Sequence, residues 1–372
     1  MNLIIYVCLL LMALLMPKSK TVTGTIMLFM FFMFSFVYYK GDLQIYEWVY
    51  NDFYTGQFIT AYEPAFIGMI WICNVIGLPF SGFRAILAMT YLTLTYKAIQ
   101  QQTDYTAITM ALMIIFPFFV FTSVLRSGIA SAIVLYAMSF LTKKSINFKL
   151  KYAICIIIAT LFHYSSIVFF VFLLNKRKIT IKMIITCSMI AIGAFILLNY
   201  TDLPYRLISI VTSSKKVLQW FVKGTAGSNL KGSTITAIIL AVNLFLVKKA
   251  KRICHSPNGR LVLSEQRIRF SEITYNVSLI MFFFLPLMLL ASPFLRLPYM
   301  IFGMVISVCV NATKVLCFSL KQKRTKMSPP TIMAFGFSLF AITLVWRFYY
   351  CLPYLKQGMV FFGEFLNTKV IF

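Results

Sequence analysis

Acidic side chains are scarce in this sequence, and several stand together among aromatic rings. The chain has 9 Asp and Glu residues against 35 Lys and Arg. Residues 38–64 hold Asp42, Glu47, Asp52 and Glu63, together with six tyrosines and a tryptophan. Carboxylates flanked by rings suit a carbohydrate, because rings stack on the C–H faces of sugars while carboxylates bind or deprotonate hydroxyls. A water-interface position is the simpler interpretation for Glu47 and Asp52.

The spacing within this segment assigns roles to single residues. Asp42, Tyr46 and Tyr50 recur every four positions, which places them on one face of a helix. We expect Tyr46, Trp48 and Tyr50 to hold sugar or lipid, and Asp42 and Glu63 to act on a hydroxyl. An aromatic belt at a membrane surface would explain the rings but not the acids.

Three arginines are candidates for binding phosphate. Arg126 opens a predicted helix, where a guanidinium and free backbone N–H groups form an anion site. Arg296 lies at a predicted helix break between two prolines, and Arg84 is a further candidate. For Arg126 and Arg296 the alternative is a side chain that anchors at the membrane interface. The small residues that follow Arg126 indicate close helix packing.

His163 is the histidine to test for catalysis. It stands in an apolar run, LFHYSS, whereas His255 lies in a basic segment. A neutral imidazole can take up a proton or hydrogen-bond a substrate hydroxyl. The alternative is a structural histidine that bonds Ser165 or Ser166.

The composition predicts an all-α polytopic membrane protein. Hydrophobic residues make up 60% of 372 positions and charged residues 12%, and the mean hydropathy is +0.87. The apolar runs are too long and continuous for a soluble domain. The net charge of +26 comes from lysines and arginines between apolar runs, as is typical of cytoplasmic loops, so nucleic acid is not expected as a partner.

We predict about 10–12 transmembrane helices in a single domain, 1–372, with both termini outside. The first run lacks a basic n-region and a cleavage site, so it is interpreted as a retained span rather than a signal peptide. The candidate spans are 2–17, 21–39, 82–98, 106–123, 128–142, 183–199, 233–247, 273–293, 298–314 and 330–346.

Two apolar segments fit a single span poorly. Residues 64–79 are short and predict an interfacial helix at the outer surface after Glu63. Residues 152–174 lie between lysine clusters and favour a re-entrant pair of short helices that turns near His163, with a single span as the alternative. The predicted loops are 40–81 and 200–232 outside, and a basic loop, 248–272, inside.

No metal or other cofactor is expected. The eight cysteines are scattered without a CxxC pair, which argues against a disulfide framework and against zinc or iron–sulfur sites. Two histidines are too few for a His-rich metal site.

Five short motifs in order resemble those of the EpsG-type Wzy polymerases. They are GDLQIYEWVY, AYEPAF, VLRSGIASAI, LFHYSS and FLRLPY, and the resemblance runs from Tyr38 to Met300. The sequence departs from the family pattern in its long segments 200–232 and 248–272. The site residues to which it points are Asp42, Tyr46, Tyr50, Glu63, Arg126, His163, Ser165, Arg296 and Tyr299.

The resemblance implies a membrane glycosyltransferase with a bundle of the glycosyltransferase-C type. Its implied substrates are polyprenyl-pyrophosphate-linked oligosaccharides, as donor and acceptor, at the outer face of the bacterial inner membrane. The product would be an O-antigen, a capsule or an exopolysaccharide. A flippase and a chain-length regulator are candidate protein partners, and the lipid bilayer is the medium.

The residues divide into roles on this interpretation. Arg126 and Arg296, with Arg84 in reserve, would stabilise the leaving diphosphate. Glu63, Asp42 or His163 would accept the proton of the acceptor hydroxyl. Tyr299 and Ser165 would contact sugar. Attack in one step, with inversion at the anomeric carbon, is the simplest hypothesis.

Other classes remain open at the level of sequence. A transporter or flippase of lipid-linked sugars would often have repeat symmetry, and no repeat is evident. A polysaccharide ligase would use the same donor on the same side. A membrane O-acyltransferase would also use an intramembrane histidine, but would draw its donor from the cytoplasm.

Overall fold

The computed structural model describes residues 2–36, 42–55, 62–142, 146–174, 200–211, 230–284 and 296–322, together with a few single positions between them. Within these ranges every regular element is helical, which confirms the all-α class. The predicted spans 183–199 and 330–346 lie outside the described ranges.

The described part of the first half of the chain forms a series of nine α-helices. They are α1 (Asn2–Leu15), α2 (Lys20–Phe36), α3 (Asp42–Asn51), α4 (Pro64–Val75), α5 (Phe80–Gln102), α6 (Thr106–Met113), α7 (Phe119–Ser123), α8 (Leu125–Leu141) and α9 (Phe148–Phe162). A π-helical turn, Ile114–Phe118, joins α6 to α7 and contains Pro117. The predicted outer loop 40–81 is therefore largely helical, since it holds α3 and α4.

The described part of the second half adds five helices. These helices are α10 (Leu203–Val211), α11 (Leu230–Cys254), α12 (Pro257–Val262), α13 (Glu265–Met281) and α14 (Leu297–Gln322). Within the described ranges the 3₁₀ helices are Phe53–Thr55, Tyr164–Leu174 and Phe282–Phe284.

Helix α8 is the centre of the bundle and packs against α5, α9 and α14. Glycines mark two close approaches to α8, one from α7 and one from α14. A Cβ atom on Gly128 would lie 3.0 Å from the Phe121 carbonyl oxygen, and one on Gly303 of α14 would lie 3.0 Å from Leu135 of α8. Small side chains let helix backbones approach, which strengthens dispersion contacts where solvent-driven burial is weak.

The segment 248–272, predicted as a basic loop on the inner side, is largely helical, and the side on which it lies stays a prediction. Helix α11 continues to Cys254, and α12 begins at once behind a Ser256 cap that accepts the Gly259 N–H at 3.1 Å. The turn is tight, because a Cβ on Gly259 would lie 2.2 Å from the Cys254 carbonyl oxygen. The Ser-Pro-x-Gly order explains why α12 begins here, since Ser caps a helix and Pro suits its first position.

Asp104, between α5 and α6, joins three parts of the bundle. Both of its carboxylate oxygens accept hydrogen bonds from the Arg267 guanidinium of α13, and Lys314 Nζ of α14 lies 3.7 Å away. The hydrogen bonds from Arg267 lower the pKa of the Asp104 carboxyl, against the opposing effect of partial burial, and Lys314 and Lys18 add to the lowering. This group stabilises the packing of α13 and α14 against the α5–α6 turn.

Among the described residues, one helical stretch is both long and apolar enough to cross a bilayer alone, Leu297–Ser319 within α14. Helices α1, α2, α4 and α8 contain apolar stretches that are shorter. Helix α4 has 12 residues, which corresponds to about 18 Å, less than the hydrocarbon core of a bilayer. The interfacial position of α4 and the number of spans stay predictions.

The chain breaks at His163, where the sequence predicts a turn. Helix α9 ends at Phe162, and His163 has extended backbone angles, φ −156° and ψ 109°. The following 3₁₀ helix packs back against α9, and the Tyr152 hydroxyl of α9 donates to the Phe169 carbonyl at 2.7 Å. This pair of short helices holds His163 at its tip. Its depth in a membrane stays a prediction.

Candidate active site

Glu63 occupies the N-cap position of α4, but its side chain does not cap that helix. Its backbone is extended, φ −70° and ψ 145°, and its side chain makes no capping hydrogen bond. Pro64 occupies the first helical position, where a missing N–H costs nothing. The carboxylate is therefore available to side chains of other helices, and it is buried.

Three groups from two other parts of the chain converge on the Glu63 carboxylate. Arg126 Nη1 donates to Oε2, His163 Nδ1 lies 3.3 Å from Oε1, and the Tyr164 N–H donates to Oε1 at 3.4 Å. Burial alone would raise the pKa of the Glu63 carboxyl, but the His163 hydrogen bond and the Arg126 charge outweigh it and hold this pKa well below its usual range. Glu63 is thus a stable anion and a weak base.

Arg126 is the second residue of α8, and its guanidinium is enclosed by aromatic rings. Its Cζ atom lies 4.7 Å from the centre of the Tyr62 ring and 5.7 Å from that of Tyr46. Its Nε donates to the Tyr46 hydroxyl at 3.2 Å. Cation–π contacts and a buried ion pair hold this group in one orientation. The anion at the N-terminus of α8, where the sequence suggests phosphate, is the Glu63 carboxylate in this structure.

His163 completes what we call the Glu–Arg–His cluster (Glu63, Arg126 and His163). Because an ionised carboxylate only accepts hydrogen bonds, the facing Nδ1 must carry the proton, and Nε2 then has the free lone pair. Nε2 is buried and has no hydrogen-bonding partner among the residues that the structure describes. The hydroxyls of Ser165 and Ser166 likewise lack a partner there, so neither bonds His163 as the structural alternative requires.

Arg296 lies beside this cluster, directly before α14. Its Nη2 donates to Asp42 Oδ2 at 3.3 Å and its Nη1 donates to Ser127 Oγ at 3.4 Å. Ser127 follows Arg126 in the first turn of α8. The charges of Arg126 and Arg296 both act on the His163 ring. The structure therefore brings Asp42, Arg296 and the cluster to one end of α8.

Two predicted site residues, Arg84 and Tyr50, make structural contacts with backbone carbonyls. Arg84 of α5 is buried and donates to the Phe34 carbonyl in the last turn of α2, where helix carbonyls lack partners in their own helix. The Tyr50 hydroxyl donates to the Leu78 carbonyl at 2.6 Å, and its ring packs against Phe83. The sequence could not reveal these partners, because both lie on other elements.

The remaining candidates are split between the interior and the surface. Tyr46 and Tyr299 are buried, as is Ser165. Trp48 is half exposed, on a different face of α3 from Tyr46. Tyr62 and Ser127 were not predicted as site residues. The signal for Tyr62 was its position next to Glu63, and for Ser127 its position next to Arg126.

No three His, Cys, Asp or Glu side chains converge as metal ligands within the described ranges. The chemistry available there is that of a paired carboxylate and imidazole beside two guanidinium groups. Such a set can move a proton and bind an anion.

The fold and site define an all-helical protein whose charged centre is assembled from α3, α4, α8 and the turn after α9, beside Arg296. A family model described as the EpsG family matches residues 20–355, nearly the whole chain. The protein belongs to the EpsG family, and the resemblance drawn from its motifs is confirmed. No curated protein and no solved structure matches the chain. Family and composition together identify a membrane protein.

Proposed function

We propose that this protein polymerises oligosaccharide repeat units that are linked to a polyprenyl diphosphate. Membership of the EpsG family indicates a polysaccharide repeat-unit polymerase. The observation that supports a transfer reaction most directly is His163, whose Nδ1 is held by Glu63 while Nε2 has no partner among the described residues. A buried polar atom without a partner is costly and calls for an explanation. Proton transfer from a sugar hydroxyl is that explanation here.

His163 is then the general base and Glu63 its positioning residue. The hydroxyl oxygen of the acceptor sugar attacks the anomeric carbon of the donor, and its proton moves to His163 Nε2. Glu63 stabilises the imidazolium that forms and keeps the ring in the required tautomer. His163 is proposed as the base in place of Glu63, because the pairing of Glu63 with Arg126 makes the Glu63 carboxylate weakly basic.

The bond between the anomeric carbon and the diphosphate breaks in the same step, and the diphosphate leaves with the electron pair. Arg296 would receive the charge that develops on this leaving group. Proton transfer and bond cleavage balance without an added oxidant, reductant or metal. One displacement inverts the anomeric configuration. Linkage analysis of the polymer against the donor would contradict this scheme if the configuration were retained.

The acceptor sugar must enter a site that is enclosed when empty. Nε2 of His163 has almost no contact with solvent, and the hydroxyls of Ser165 and Ser166 are equally buried. These three atoms offer donors and acceptors to a polyhydroxylated ligand. The site is proposed to face the periplasm or cell exterior, from the predicted outer position of the segments that hold Asp42, Glu63 and Arg296.

The surface glycan of a deletion strain tests this function. Single repeat units without a ladder of longer chains are expected for a polymerase. Long chains that stay unattached would indicate a ligase, and loss of all surface sugar would indicate a flippase. The deletion strain complemented with the wild-type chain should recover the ladder.

A further inference from the structure

The site contains two arginine–carboxylate pairs that differ in how firmly they are held. One joins Arg126 to Glu63, and the other joins Arg296 to Asp42. In the first pair the side chains are 14% and 4% exposed, and in the second 19% and 45%. In each pair the carboxylate would compete with an anionic substrate for the guanidinium. The strength with which each carboxylate is held therefore decides which arginine a substrate can reach.

Further contacts hold both partners of the Arg126–Glu63 pair in place. Glu63 also accepts from His163 and the Tyr164 N–H, and Arg126 is stacked on Tyr62 and bonded to Tyr46. An anion that displaced Glu63 would leave a buried carboxylate without its counter-ion, which is among the most costly changes in a protein interior. The orientation of His163 would be lost as well. Arg126 is therefore a poor receptor for an incoming phosphate.

The Arg296–Asp42 pair is weak by comparison. Its single contact is 3.3 Å long, and the second contact of the guanidinium, with Ser127 Oγ, is 3.4 Å long. Both are longer than the 2.7–2.9 Å that is usual for charge-assisted hydrogen bonds. Since the Asp42 side chain is nearly half exposed, it can turn into solvent when an anion of higher charge arrives. Exposed ion pairs of this kind contribute little to stability.

We propose that Asp42 is a displaceable counter-ion that occupies Arg296 until a diphosphate takes its place. The diphosphate of the lipid-linked donor would bind Arg296 and the Ser127 hydroxyl, while Arg126 stays with Glu63. This inference rests on the proposed function for the identity of the donor. It changes the roles expected from the sequence, since Asp42 regulates access to the anion site and Arg126 organises the base.

The exchange also couples donor binding to the base. Arg296 and the Glu–Arg–His cluster meet at the first turn of α8, through the neighbouring residues Arg126 and Ser127. A diphosphate on Arg296 would lie at the end of α8 that also carries the Glu–Arg–His cluster. An anion there favours the protonated imidazole, so the bound donor strengthens the base that activates the acceptor.

Binding of a short polyprenyl diphosphate to the full-length protein tests the exchange. Farnesyl diphosphate is titrated into protein in phosphatidylcholine nanodiscs, and farnesol reports binding of the chain without the charge. Asp42→Asn should lower the Kd of farnesyl diphosphate roughly fivefold, which corresponds to about 1 kcal/mol. Arg296→Ala should raise it at least about tenfold, and Ser127→Ala should raise it less. Farnesol binding should not change.

Glu47→Gln is the matched control, because it removes one negative charge from the same helix without a contact to Arg296. Its Kd should equal that of the wild type. Equal or weaker binding by Asp42→Asn overturns the exchange, as does unchanged binding by Arg296→Ala. Asn is nearly isosteric with Asp, and Arg296→Gln repeats the test if the alanine variant fails to fold.

A polymerisation assay on the same nanodiscs separates this inference from the proposed function. If the wild type elongates lipid-linked repeat units but Asp42→Asn binds the diphosphate no more tightly, the exchange alone is wrong. If the binding order is as expected but no polymer forms, the proposed function is wrong and the anion site stands.

Discussion

Glu63 and His163 are separated by 100 positions in the chain, yet Glu63 Oε1 lies 3.3 Å from His163 Nδ1 in the buried centre of the site. The carboxylate comes from the start of α4 and the imidazole from the break after α9. The two elements pack against each other. This contact decides the tautomer of His163 and leaves Nε2 for chemistry.

Replacement of His163 should abolish chain elongation. His163→Gln keeps a polar side chain but removes the base, so the elongation rate should fall at least about 100-fold. The length distribution of surface glycan, with protein level as the reference, measures the loss. His255→Gln is the control, since His255 lies in the turn between α11 and α12, where its Nδ1 bonds the Lys251 carbonyl. A normal ladder in the His163 variant would show that His163 is not the base.

Loss of Arg126 should destabilise the fold as well as the activity. Arg126→Met leaves the buried Glu63 carboxylate without its counter-ion, a change that costs about 3–5 kcal/mol. The double variant Glu63→Gln with Arg126→Met removes both charges and should recover much of the thermal stability, but not the elongation activity. Thermal unfolding in detergent compares the two. Equal stability of the single and double variants would show that the unpaired Glu63 carboxylate does not cause the loss of stability.

The Asp104 group should give the fold an acid-sensitive contribution. Because the pKa of Asp104 is lower in the folded protein, its pairs stabilise the fold above the ordinary pKa of an aspartate. This contribution is lost as the pH falls through the lowered value. Asp104→Asn should lower stability at neutral pH by up to about 1 kcal/mol, given the partial exposure of the carboxylate.

Thermal unfolding midpoints between pH 7 and pH 3 measure this effect. The difference between wild type and Asp104→Asn should shrink as the medium becomes acidic. Asp202→Asn is the control, because Asp202 is exposed and has no ion-pair partner among the described residues. A difference that stays constant with pH would assign the effect to something other than the Asp104 charge.

Gly128 should be a sensitive position on α8. A Cβ there would lie 3.0 Å from both Cβ and the carbonyl oxygen of Phe121, so α7 and α8 must separate to admit it. Gly128→Ala should cost about 1–3 kcal/mol. Gly24→Ala, where a Cβ would meet nothing within 4 Å, should be neutral or stabilise by up to about 1 kcal/mol. Unfolding midpoints of the two variants give the comparison, and equal effects would contradict it.

Residue types and local spacing are enough to select the candidate positions that the structure brings together at one end of α8. The helix that opens at Arg126, the turn at His163 and the helix that begins after Glu63 all follow from signals within a few residues. The all-α class and the family follow in the same way, from long apolar runs and ordered motifs. The Ser-Pro-x-Gly order within 248–272 is a local signal of the same kind, at the start of α12.

The pairing of these residues was decided by tertiary structure alone. The same arginine at a helix N-terminus can bind a phosphate or a carboxylate, and it is the packing of both α4 and α8 against α9 that brings Glu63 to Arg126, 63 positions away. Likewise, the spacing of Tyr46 and Tyr50 shows a shared face but not that one meets Arg126 and the other a backbone carbonyl. Local sequence specifies helices and turns, whereas buried charges acquire their roles from partners that approach only when the bundle packs.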